Sequence, residues 1–109
     1  MRDFPEFIRK LPELDVPLPG FGGHLLQGET HQVAFARCDA DLEVPAHSHA
    51  AQWELVVAGE VVLRMAGEER TYRAGESFYI PTGVEHAATV KAGFRSVIIF
   101  DQPDRYRVK

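Results

Sequence analysis

From about Gly20 onward, short apolar runs alternate with turn residues. "HLLQGE" leads to "THQVAFARCD", and then come "LEVPAHSH", "QWELVVAGE", "VVLRMAGEE", "RTYRAGE", "SFYIPTG", "VEHAATVKAG" and "FRSVIIFD". Gly59, Gly67, Gly75, Pro81–Gly83 and Gly93 punctuate these runs. Turn signals about eight residues apart predict an all-β sandwich or barrel. No segment after Gly20 sustains a helical apolar period over the length of a helix.

Residues 1–20 read differently. Pro5, Pro12, Pro17 and Pro19 exclude a long helix and a central strand, leaving one short helical turn within "EFIRKLPEL". The expected organisation is an arm over residues 1–20 and a barrel domain over residues 21–109. The arm is expected to pack through Phe4, Phe7, Ile8 and Leu11, covering an edge strand or building a homodimer surface. The closing "DQPDRYRVK" reads as a polar surface tail anchored by Tyr106.

Bulk properties narrow the function. A chain of 109 residues supports one core and one domain. The net charge of -4, with Lys and Arg scattered singly, argues against a nucleic-acid partner. Cys38 is the only cysteine, so an internal disulfide and a multi-thiolate zinc site are excluded. Cys38 itself reads as an inert packing residue. The apolar runs are too short for a membrane helix or a signal peptide, so a soluble, cytoplasmic protein with no membrane partner is expected.

The candidate chemistry lies in "PAHSHAAQWELVVAGE". His47 and His49 are spaced to share one face of a strand, and neutral imidazoles are good ligands for first-row metals. A third histidine, His86, follows a Pro-x-Gly turn in "GESFYIPTGVEHAATV". The plain alternative for the pair is two surface histidines on an edge strand.

Together the two segments resemble the conserved motifs of the cupin superfamily. The first has His-x-His, then Gln or Glu, six residues and Gly; the second has Gly, five residues, Pro-x-Gly, two residues and His. Gly75, Pro81, Gly83 and His86 fall at that spacing, while Val90 stands where the family motif ends in Asn. The flanks "HQVAF", "GVEH" and "PDRY" resemble a group of small single-domain cupins. The resemblance implies a double-stranded β-helix, or jelly-roll barrel, with His47, His49 and His86 as ligands of a divalent transition metal (Ni, Zn, Fe, Mn or Cu). It also implies a homodimer.

Two spacings compete for the fourth ligand. Six residues back from Gly59 is Gln52, whereas the usual distance forward from His49 reaches position 53 or 54. Strand-to-turn spacing fixes side-chain direction more firmly than loop length, which favours Gln52. Glu54 shares the face of Gln52 and stands as an alternative ligand or as a catalytic base. A neutral amide with three imidazoles would leave the ion's full charge in place and lower the pKa of a bound water.

The remaining polar residues read as structural. Trp53 is expected to pack the barrel. His24 and His31 lie outside both motifs and read as ordinary polar residues; Arg37, Arg64 and Tyr79 are expected on the sheet surface or in solvent, the alternative being that they face the cavity and bind an anionic substrate. Two functions suit this pattern. One is an enzyme using the metal as a Lewis acid on a small organic acid or sugar derivative, with isomerase, lyase or dioxygenase chemistry. Small cupins that linearise unsaturated uronates are the nearest analogy, since they too combine three histidines with a glutamine. The other is a non-catalytic module that binds or senses a small molecule.

Overall fold

A computed structural model describes residues 3–109; Met1 and Arg2, the first residues of the expected arm, lie outside the described residues. One short helix, α1 (Glu6–Arg9), precedes the strands β1 (Leu14–Asp15), β2 (Phe21–Gln27), β3 (Gln32–Cys38), β4 (Leu42–His47), β5 (Gln52–Ala58) and β6 (Glu60–Met65). The strands β7 (Glu68–Arg73), β8 (Ser77–Ile80), β9 (His86–Val90), β10 (Phe94–Phe100) and β11 (Arg107–Val108) follow. No helix among the described residues is long and apolar enough to cross a membrane.

Two antiparallel sheets face each other. One has the order β2-β3-β10-β5-β8 and the other β4-β9-β6-β7. Strand alternation decides what lies between them. In β3, β5 and β10 every second residue is buried, beginning at Gln32, Gln52 and Phe94 respectively. Cys38, Val56, Phe78, Ile80 and Phe94 from the first sheet meet Val61, Leu63 and Val90 from the second in one apolar cluster. Val90, at the position of the motif's Asn, is part of that core. Leu14, Leu25, Ala34, Ala36, Ile98 and Phe100 form a second cluster.

The outer face of the five-stranded sheet corrects one expectation. Cross-strand pairing lines up Leu26, Val33, Ile99, Trp53 and Tyr79 in one row. Trp53 is 39% exposed and Tyr79 58% exposed. Trp53 therefore does not fill the barrel; the alternation that buries Gln52 and Glu54 turns it outward.

The arm lies along the edge strand β2, with Leu25 N–H donating to the Pro12 carbonyl and Glu13 bridging to His24. Phe4 is buried edge-on against Phe35, and Ile8 and Leu11 are half-buried. Phe7 instead is 74% exposed, because α1 is one turn long and turns that side chain to solvent. The tail is more ordered than a surface strap. Its β11 pairs with β1, and the buried Gln32 amide both donates to the Tyr106 carbonyl and accepts from the Tyr106 N–H, each at 2.9 Å.

Candidate metal centre

His47 and His86 are direct cross-strand partners, at the last residue of β4 and the first of β9. His49 does not share their ladder, since β4 ends at His47 and His49 stands in the following loop. The two motifs hold it in place by contact. Gly83 N–H donates to the His49 carbonyl at 3.0 Å, and Ala51 N–H donates to Thr82 Oγ1 at 3.0 Å. The Pro81–Gly83 turn thus supplies a clasp as well as a reversal; Gly83 has φ of 78°, the left-handed region that glycine enters without penalty.

The three rings converge. Centroids lie 4.3 Å apart for His47 and His86, 4.9 Å for His49 and His86, and 5.2 Å for His47 and His49. One ligand atom from each fits within 4.8 Å of the others. Each ring is also tied from behind. His47 Nδ1 donates to the Pro45 carbonyl at 2.8 Å, His49 Nδ1 to Ala50 at 2.7 Å and His86 Nδ1 to Val84 at 3.0 Å. A carbonyl only accepts, so each Nδ1 carries the proton and each neutral ring keeps its free lone pair on Nε2. Burial, outweighing those carbonyl bonds, pushes the pKa of His49 and of His86 down and favours the neutral form. This donor set suits a first-row divalent metal, and the backbone ties are the outer support such ligands need.

Gln52 and Glu54 both face the same cavity. Cross-strand neighbours of Gln52 are Phe100 and Ile80, and those of Glu54 are Ile98 and Phe78. Gln52 Nε2 donates to Glu54 Oε1 at 3.0 Å, which fixes the amide and leaves its carbonyl oxygen free of that bond. Burial among those apolar neighbours raises the Glu54 pKa to about 7, against the opposing pull of Ser96 and Gln52. The Ser96 hydroxyl faces the carboxylate yet forms no hydrogen bond of good geometry within the protein. Cys38 lies on the cavity floor, where burial, reinforced by the Glu54 charge, pushes its thiol up to about 12. An unactivated thiol of that kind is inert.

The cavity has a volume of about 100 Å³. Sites that enclose a drug-sized ligand span ~300–1,000 Å³, so this one holds a small molecule or the end of a larger one. His47 and His49 also line a shallow depression outside it, with Val44, Pro45, Ser48 and Arg105. His24, His31, Arg37, Arg64 and Tyr79 do not line the cavity. His31 pairs with Asp101 at 3.0 Å, Arg37 with Asp39 at 3.1 Å and Arg64 with Glu69 at 3.0 Å.

The sequence profile of the Cupin domain family matches residues 39–99, more than half of the chain and both motifs. The chain belongs to the cupin family. This cupin superposes on an RmlC-like cupin from Shewanella frigidimarina with a TM-score of 0.74 and 26% identity, over 86% of each chain. KdgF from a Halomonas species gives a TM-score of 0.71 at 22% identity, over 84% of this chain and 86% of that one. A cupin superfamily protein from Desulfitobacterium hafniense gives 0.71 at 16% identity, over 81% and 83%. The likeness to the last two is one of fold. No curated protein matches the sequence.

Two lining residues of this cupin escape a reading of its motifs. Arg105 and Tyr106 reach the cavity from the tail, and Tyr106 packs on Phe100 and Phe21. Ser96 did have a signal, since "FRSVIIF" places it in phase with Phe94, Ile98 and Phe100.

Proposed function

We propose that this cupin binds one divalent transition metal through His47, His49, His86 and Gln52 and acts on a small organic acid or sugar derivative, with Glu54 as its proton-transfer group. The observation that supports this most is the threefold tie of Nδ1 to backbone carbonyls, which prepares three Nε2 lone pairs to act together. A bound metal supplies Lewis acidity toward a carbonyl or hydroxyl oxygen. Gln52, its N–H committed to Glu54, offers the amide oxygen as a fourth donor. Glu54 holds or takes a proton at its carboxylate, and the apolar wall around it excludes competing water. Isomerisation or elimination at a carbon beside a carbonyl is the chemistry this set suits best, because it needs one proton moved and one oxygen polarised.

Elemental analysis of protein purified without a metal-affinity tag tests the metal. A stoichiometric ion is expected in the wild type, and loss of it in His49→Ala and His86→Ala. Sub-stoichiometric metal in the wild type, unchanged in both variants and on adding each candidate ion, overturns the reading.

A non-catalytic binding module is the second reading, favoured by the small volume and apolar floor of the cavity. Solvent deuterium exchange into small hydroxy and oxo acids, followed by NMR, separates the two. An enzyme of the proposed kind exchanges the carbon-bound proton, whereas a binding module leaves it in place.

A further inference from the structure

Arg105 is an unusual cation for this protein. Arg37, Arg64, Arg70, Arg73 and Arg95 all pair with carboxylates within 4.0 Å, while Arg9 and Arg107, which do not, are exposed to solvent. Arg105 is half-buried, forms no ion pair and makes no hydrogen bond among the described residues. Its Nε is fully buried and unpartnered. A buried donor left unmade costs about 1–3 kcal/mol, and more for a charged group, so the chain holds this side chain at a deficit.

Its position gives that deficit a use. The guanidinium lies over the Tyr106 ring, 4.6 Å from the centroid, and near the Phe100 ring at 5.8 Å. The nearer ring makes a cation–π contact with it, while Phe100 stands nearly perpendicular to Tyr106 at 87°. Arg105 lines the histidine cavity, and also the depression outside it beside His47 and His49. A ligand bridging cavity and depression passes the guanidinium edge.

We infer that Arg105 is an anion-recognition residue at the cavity mouth, and that the site takes a small ligand bearing a carboxylate. A planar carboxylate matches the guanidinium fork with two parallel charge-assisted hydrogen bonds. The inference deepens the proposed function, whose substrate class it specifies, and rests on the reading of this cavity as the ligand site.

The test uses malonate as probe, malonamide as its neutral counterpart and inorganic phosphate as the tetrahedral one. Binding isotherms are recorded on the full chain, both as purified and after chelation, for the wild type, Arg105→Lys and Arg105→Met. Malonate is expected to bind the wild type in preference to both other probes, and to bind Arg105→Met at least about tenfold more weakly. Arg105→Lys, which keeps the charge without the fork, is expected to fall between them. Equal binding of malonamide, unchanged malonate binding in Arg105→Met, or tighter binding of phosphate overturns the inference.

An isotope-edited spectrum of the wild type supplies a readout that needs no variant to fold. The Arg105 Nε–H signal is expected to shift on malonate addition, and an unmoved signal at saturation overturns the inference. The metal reading fails separately. Unchanged metal content in Arg105→Met alongside lost malonate binding supports both ideas. Arg105-dependent malonate binding by a protein that never holds metal supports this inference alone.

Discussion

Gln52 and Glu54 stand two residues apart on the inner face of β5, and the amide N–H of the first donates to the carboxylate of the second across 3.0 Å. The bond ties the two candidates for the fourth ligand into a single unit with distinct ends. The amide oxygen is left free of that bond, and the carboxylate holds the amide's other end. Gln52→Ala is expected to weaken metal binding directly. Glu54→Ala is expected to weaken it by about 10–100-fold, the usual effect of losing an outer support. Glu54→Gln keeps an acceptor for the Gln52 N–H and is expected to bind nearly as the wild type. Chelator competition measures all three. Metal retained by Gln52→Ala and lost from Glu54→Ala reverses the assignment.

Glu54 also makes the metal-free protein sensitive to pH. Its folded pKa of about 7 lies above the ordinary glutamate value of 4.5, so the folded state binds its proton more tightly than the unfolded state. That contribution to stability is fully present below the unfolded pKa and is lost as pH rises through the folded one. Between about pH 4.5 and 7 it amounts to up to a few kcal/mol. Urea titrations of metal-free protein across this range are expected to show the fall in the wild type and to lose it in Glu54→Gln. Parallel curves for the two proteins contradict this.

The histidines oppose Glu54. Burial lowers the pKa of both His49 and His86, so their contribution is present above the ordinary imidazole value and is lost as pH falls below it. Metal release on acidification is therefore expected to begin below about pH 6.5, the ordinary imidazole value. Metal retained per chain after dialysis at stepped pH checks this; release already at neutral pH counts against neutral, preorganised rings.

Two motif glycines are expected to differ in what they tolerate. Gly59 has φ of 73°, and a Cβ there would meet Phe94 Cα at 2.9 Å. Gly83 has φ of 78° and open space around it. Gly83→Ala carries the left-handed penalty alone, about 1–2 kcal/mol, whereas Gly59→Ala adds a backbone clash. Denaturant midpoints are expected to drop further for Gly59→Ala, and equal drops would show that β10 yields to the new methyl group.

Much of the fold and of the histidine cluster was legible because it depends on local rules. Alternation set the inward phase of Gln52 and Glu54, and the turn around Gly83 marked the return of the chain at His86. The size of Trp53 points to packing, while the same alternation turns it outward. Phe7 is apolar, yet a one-turn helix gives it no buried side. His49 reached the cluster through the Gly83 contact and not through strand geometry. Arg105 was hidden for another reason: only the pairing of β11 with β1, across most of the chain, and the Gln32 clamp bring a polar tail to the cavity mouth.

The site therefore rests on two supports of unequal strength. His47 and His86 are rooted in strands of the four-stranded sheet, whereas Arg105 hangs between the end of β10 and a two-residue pairing. Outside that pairing the tail is pinned by side-chain bonds from Gln27 and Gln32 and not by a sheet ladder, and such a segment opens locally before the barrel unfolds. On warming, the tail would lift away first, and the cupin would lose its grip on a charged ligand while its histidine cluster still stood.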